Sequence, residues 1–267
     1  MDQAAVLTAY DRQIRQSSDP GGPGARIERV DGVVRRVGAN DDDWNGVLWS
    51  DLDATTADAA IAAQVAYFAA LGREFEWKAY SHDLPHDLPE RLRAAGLVPD
   101  SDEAMMVADV ADLPQAPEPP EGVRLVPVTD EEGVRLMTAV HEAAFGTDGT
   151  ALGRQVLRLV TEAPDTVAAV VAMAGDEPVS SARLELLPGT EFAGLWGGGT
   201  VEHWRGRGIY RSLIAYRARI AAERGVRYLQ VDASDQSRPI LARLGFTQLS
   251  TTTPYTFRPD GRSGAGA

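Results

Sequence analysis

One order of elements occurs twice along this chain, and it restricts the fold more than any other feature. In the second half, helical spacing predicts a long helix over about 207–224, with Ile209, Leu213, Ile214, Ala218 and Ala221 apolar at three- and four-residue steps. Gly225 stops it. A strand at 228–233, a short helix at 239–244 stopped by Gly245, and a strand over 248–257 follow. The first half repeats this order: helix 59–71, Gly72, strand 75–80, short helix 88–95, Gly96, strand 104–110. Leu92-Arg93-Ala94-Ala95-Gly96-Leu97 mirrors Leu241-Ala242-Arg243-Leu244-Gly245-Phe246. The repetition reads as a degenerate duplication, against coincidence, since alternation of helix and strand is common.

Residues 112–121 carry four prolines and no apolar periodicity, so they read as a semi-extended linker. Domain boundaries follow: 1–112, a linker at 113–121, 122–260, and a disordered tail at 261–267. Between the linker and the long helix, 123–128 reads as a strand. A helix over 130–144 is capped by Thr129 or Asp130, and a shorter one spans 152–161. The apolar run 166–174 and the segment 179–187 form a hairpin, and a further strand covers 192–201. Each half is therefore expected to be a central mixed, mostly antiparallel sheet flanked by helices, an α/β chain of the α+β type.

Charge excludes several classes. The net charge is −13, and Lys78 is the only lysine. Residues 1–112 hold 21 acidic and 10 basic residues, which disfavours nucleic acid as a partner. With no cysteine, disulfides and thiolate chemistry are excluded. Only His82 and His86 have ligand-like spacing, and prolines interrupt them, so no metal site is expected. No membrane span and no signal peptide are expected, which fits a cytoplasmic protein. Against the acidic background, residues 205–227 hold seven arginines and one acid, Glu223. Such an island suits an anionic ligand. A solvated helix face is the plainer reading.

Arg205-Gly206-Arg207-Gly208 stands between a strand and that helix. The start of a helix offers unpaired N–H groups and the positive end of a dipole. Glycines allow close approach of a phosphate, and Arg205, Arg207 and Arg211 add charge. In this context the sequence resembles the GNAT superfamily of acetyltransferases, whose signature is Gln/Arg-x-x-Gly-x-Gly/Ala at the start of the central helix. Arg205, Gly208 and Tyr210 occupy those positions, and Leu244-Gly245-Phe246 resembles the family's common ending. The resemblance covers roughly 121–258. The first half resembles a decayed copy, in a tandem-GNAT arrangement. It has the ending, but Asp51 and Asp53 stand where the phosphate loop belongs.

The resemblance implies acetyl-CoA as acyl donor. Backbone N–H groups of Gly206, Arg207, Gly208, Ile209, Tyr210 and Arg211 would hold its pyrophosphate, with Arg205 beside them. Gly198, Gly199 and Thr200 would bind its pantetheine arm. The Gly197-Gly198-Gly199 run reads equally as a bulge. Two departures stand out. Tyr210 replaces Gly or Ala, so its side chain points into the core or toward the ligand. Leu241 stands where many members carry a tyrosine that protonates the departing thiolate, and Ser234 or Asp235 replaces a common Asn. Tyr228, Tyr255 or water are substitutes for that acid. Candidate bases are Glu185, Glu191 and His203; Glu185 on a strand reads as solvent-facing, and none is assigned. Trp44, Trp49, Trp77, Trp196 and Trp204 read as core, with Trp196 and Trp204 beside the cofactor strand. The expected function is transfer of an acetyl group to a primary amine of a small molecule or protein. The alternative is a non-catalytic acyl-CoA sensor.

Overall fold

The computed structural model describes residues 1–17, 19, 24–40 and 43–259; the expected disordered tail at 261–267 lies outside them. These residues form two compact units, neither a continuous stretch of chain. The first comprises Met1–Met105, Asp232–Arg238 and Gln248–Ala267; the second comprises Met106–Val231 and Pro239–Thr247. Among the described residues, no helix is long and apolar enough to cross a membrane.

The first unit opens with α1 (Gln3–Tyr10), continued as a π-helical stretch over Asp11–Arg15. The strands β1 (Arg26–Val30), β2 (Val33–Val37) and β3 (Gly46–Ser50) follow. Then come α2 (Ala57–Leu71), β4 (Phe75–Tyr80), α3 (Leu88–Ala94) and the two-residue β5 (Val98–Pro99). The C-terminal strand β12 (Thr247–Phe257) pairs antiparallel with β4, completing the sheet order β1-β2-β3-β4-β12. β3 and β4 run parallel, joined by α2. Gly72 ends α2 at φ +66°, a conformation that leaves the last carbonyls paired and that only glycine adopts without strain. The core is built on Val47, Ile61, Phe68, Phe75, Trp77 and Leu92. Helix α1 and β1–β3 were not foreseen: α1 has almost no amphipathic stripe, and β2, reading Val-Val-Arg-Arg-Val, does not alternate.

In the second unit, β6 (Glu103–Asp109), β7 (Val123–Val128), β8 (Val167–Ala174), β9 (Glu177–Leu186), β10 (Phe192–Thr200) and β11 (Tyr228–Ala233) lie in the order β6-β11-β10-β9-β8-β7. All pairs from β7 to β10 are antiparallel; β10 and β11 are parallel. This is the mixed, mostly antiparallel sheet expected. Helix α6 (Ile209–Glu223) packs on one face through Ile209 and Leu213 against Val170, Ala172, Val179 and Ala182. Helices α4 (Glu131–Phe145) and α5 (Thr150–Glu162) cover the other through Val134, Met137 and Val156. Asp130 caps α4 by accepting from the Gly133 N–H at 2.9 Å, as one of the two foreseen alternatives requires. Short α7 (Arg238–Arg243) follows β11. The proline-rich segment is tied to the unit: the Ser212 hydroxyl donates to Glu118 O at 2.6 Å, and Leu113 is buried.

Candidate active site

Strands β10 and β11 are paired at only three positions, Phe192 with Tyr228, Ala193 with Leu229 and Gly194 with Gln230. Beyond Gly194 they part, which leaves the edge of β10 without a β11 partner. On its other edge β10 is bulged between Trp196 and Gly199, with Gly197 at φ +59°. The bulge reading of the glycine run is therefore met. A bulge is present, and the backbone is approached closely on both faces. A Cβ on Gly198 would lie 2.9 Å from Tyr210 Cε2 of α6. One on Gly199 would lie 2.7 Å from Phe145 Cε2 and 3.1 Å from Ala144 Cβ of α4. The close neighbours are side chains of this chain.

The chain leaves β10 through a 3₁₀ turn (Glu202–Trp204) and enters Arg205–Gly208. Gly206 and Gly208 have φ +75° and +86°, and nothing lies within 4 Å of where their side chains would start. The N–H of Arg205 is bonded to Glu202 O and that of Ser212 to Gly208 O. Among the described residues, those of residues 206–211 between them meet no protein acceptor. Six donors thus stand without a protein acceptor at the positive end of a fifteen-residue helix, with open space beside Gly206 and Gly208.

The arginines divide by task. Arg205 is a structural tie: Nε donates to Thr200 O at 3.0 Å and Nη2 to Ala144 O at 3.2 Å. It fixes the loop to the end of β10 and to an orphan carbonyl in the last turn of α4. Arg207 lies over the Trp204 ring, 4.5 Å from its centroid, and Arg211 is exposed. Those two supply the loop's uncommitted positive charge. Tyr210 turns to β10 and packs on Gly198; burial raises its phenol, and the charge of Arg217 opposes that rise.

Arg217, one turn and three residues further on, is 1% exposed. Its Nε donates to Leu213 O and its Nη1 to Arg183 O at 3.2 Å, beside the bulge. Its Nη2 has no acceptor. Burial pushes this guanidinium down to about 10, partly offset by Tyr210.

The other expected residues are scattered. His203 is exposed on Glu177 at 2.9 Å, outside the cleft. Glu191 lies before β10, where its carboxylate accepts from Arg227 at 3.3 Å, at the paired end of the two strands. Glu185 is half-buried and accepts from Arg183 Nε at 2.7 Å, so the solvent-facing reading fails: Arg183 on the same face pairs with it. Leu241 is fully buried in α7. Tyr228 packs on Phe192 at the paired end, and Tyr255 belongs to the core of the first unit. Of the tryptophans, only Trp77 is core; Trp44 and Trp196 are exposed.

Sequence reasoning missed a stripe on α4. Met137, His141 and Phe145 recur at four-residue steps and face the bulge. Met137 Cε is 3.9 Å from a Cβ on Gly197, and Phe145 meets Gly199. His141 lies between them, its ring 5.0 Å from that of Phe145. Its Nε2 is 3.0 Å from Thr147 Oγ1, and its Nδ1 is buried without a partner. Burial and then the charge of Arg183 lower its pKa, with Glu142 opposing. A histidine on an otherwise apolar i, i+4, i+8 stripe was the available signal.

Comparison with known proteins places this geometry. Residues 134–246 match the Acetyltransferase (GNAT) family. No curated protein matches the chain. A GCN5-related N-acetyltransferase from Kribbella flavida superposes with a TM-score of 0.70 at 20% identity, over 96% of this chain and 95% of that one. A tandem GNAT protein from the clavulanic acid biosynthesis pathway gives 0.62 at 14% identity, over 98% and 95%. A GCN5-related N-acetyltransferase from Sphaerobacter thermophilus gives 0.60 at 16%, over 99% and 94%. The parted parallel strands, the bulged β10 and the open loop at the start of α6 thus all lie within the residues, 134–246, that match the Acetyltransferase (GNAT) family.

Proposed function

We propose that the chain binds acetyl-CoA in this domain and transfers the acetyl group to a primary amine by direct attack. The observation that carries the reading is the set of unpaired N–H groups at residues 206–211, opening beside the unpaired edge of β10. A pyrophosphate suits the first, since its oxygens accept several backbone donors at once. An extended amide-bearing arm suits the second, as an added strand would. Gly198, Gly199 and Thr200 would line that arm, and Arg207 and Arg211 would add charge at the pyrophosphate. Arg205 contributes by holding the loop in place.

The amine's lone pair attacks the thioester carbon, a proton leaves nitrogen, and the sulfur departs with the C–S electron pair. A strand N–H at the bulge would stabilise the developing oxyanion. With Leu241 buried, the phenol nearest the glycine run is that of Tyr210, and it would donate to the sulfur.

The first unit repeats the parallel strand–helix–strand unit, with β3, fifteen-residue α2 and β4 standing as β10, α6 and β11 do. Its loop differs. Asp53 Oδ1 accepts from the N–H groups of Thr55 and Thr56 at 2.8 and 2.9 Å and from both hydroxyls, and these bonds hold its pKa at about 2. The chain's own carboxylate thus occupies the place of an anionic ligand, which supports reading this unit as a copy that binds no acyl-CoA.

Release of free thiol from acetyl-CoA across a broad amine panel tests the activity. Turnover of any amine supports the enzyme. Saturable binding with no turnover favours the sensor, for which buried Leu241 is the supporting observation.

A further inference from the structure

On the face of the sheet covered by α4, opposite α6, Phe145 and Trp196 flank the bulge of β10, 51% and 41% exposed. Arg183, whose register partner is Trp196, is 8% exposed; its guanidinium lies 5.7 Å from the centroid of the Trp196 ring, and only its Nε is hydrogen-bonded, to Glu185 at 2.7 Å. Its two Nη groups have no acceptor among the described residues. Nη1 lies 3.5 Å from where a Cβ of Gly197 would be. A buried guanidinium with its planar fork left open is matched by a carboxylate, which takes two parallel N–H bonds. His141 stands over the same bulge with a bare, buried Nδ1.

Building on the acetyltransferase reading, we infer that the acceptor is an amine bearing its own carboxylate close to the nitrogen, an amino-acid-like molecule. Arg183 clamps the carboxylate and His141 Nδ1 takes the amine's proton. Glu185 pairs the incoming cationic nitrogen until it is deprotonated. In the transfer, the amine nitrogen forms the C–N bond, the C–S bond breaks toward sulfur, and the proton released from nitrogen passes to Nδ1. The thiolate is protonated in turn, so amine and acetyl-CoA give N-acetyl amino acid and free CoA. The role requires the tautomer in which Nε2–H donates to Thr147 Oγ1, 3.0 Å away, and Nδ1 carries the lone pair. Burial and the adjacent Arg183 keep the ring neutral near pH 7.

The test begins with the unaltered protein, so it does not depend on a variant that folds. Thiol release is measured with α-amino acids, their C-terminal amides and the corresponding alkylamines, and acetyl-CoA affinity is measured by calorimetry. The inference predicts kcat/KM for the carboxylates roughly 30-fold or more above the amides, the size of one buried charge-assisted contact. Arg183→Gln is expected to erase that ratio mainly through KM, and Arg183→Lys to restore part of it. His141→Gln is expected to lower kcat about 100-fold, remove the acidic limb of the pH profile and leave acetyl-CoA affinity unchanged. Equal turnover of acids and amides overturns the inference. So does acetyl-CoA binding with no turnover of any carboxylate-bearing amine, which leaves the acyl-CoA site standing. Failure to bind acetyl-CoA removes the acetyltransferase reading and the inference with it.

Discussion

Gly198→Ala has a sign that depends on Tyr210, and that dependence can be worked from the structure. The added Cβ would lie 2.9 Å from Tyr210 Cε2, well inside ordinary carbon–carbon contact. Gly198 is not among the positive-φ glycines, so alanine itself is not strained there. Overpacking costs about 1–3 kcal/mol. Since the ring is only half-buried, the lower half of that range is taken. Against it stands the reduced entropy of the unfolded chain, about 0.4–1 kcal/mol in favour of alanine. The net expectation is a destabilisation of about 1 kcal/mol with Tyr210 present. With Tyr210→Ala already made, only the favourable term remains, and Gly198→Ala stabilises by about 0.5 kcal/mol. Urea unfolding of the four proteins gives a coupling near 1.5 kcal/mol. Additive effects would refute the claim that this glycine makes room for the ring at the family's Gly/Ala position.

The part-buried Lys78–Asp232 pair, at 2.5 Å in the first unit, predicts that Lys78→Met costs about 1–3 kcal/mol, whereas Lys78→Met with Asp232→Leu costs less; equal losses in a denaturation series would contradict it. Asp11 is pushed up by burial, but the His82 and Arg15 contacts win and hold it below the usual carboxylate range. Its stabilising contribution is thus present above the unfolded pKa and lost as pH falls through the folded one. Asp11→Asn should flatten the acid limb of a stability–pH curve, and an unchanged limb would count against the contact. His203→Gln should leave turnover within about twofold, since the ring sits on Glu177 outside the cleft, and a large kcat loss would put it back in the reaction.

The second unit was largely legible because its elements carry strong local signals. The uninterrupted Val167–Ala174 run, the Gly-Asp-Glu-Pro turn and the glycine stops at 225 and 245 each follow from backbone chemistry alone. The loop at 205–208 was legible for the same reason. What stayed hidden was long-range. Nothing in the letters of β1 to β3 shows that the arginine-bearing β1 and β2 pair with each other and with β3. Nothing local shows that Arg205 is spent on two carbonyls, or that His141 faces a bulge on β10, four elements further along the chain. Glu185 was misread because alternation tells which face a residue takes but not that Arg183 waits there to pair with it.

The central claim is that the open loop at the start of α6 holds the pyrophosphate of acetyl-CoA. Arg207→Glu with Arg211→Glu changes its charge without touching the ties made by Arg205. Reversing two exposed charges roughly 6 Å from a doubly charged group at physiological salt is worth about 2–3 kcal/mol. Titration calorimetry should therefore show saturable acetyl-CoA binding to the unaltered protein and a loss of roughly 30- to 150-fold in the variant, with unchanged unfolding. Unchanged affinity in the variant, or no binding to the unaltered protein, would contradict the account.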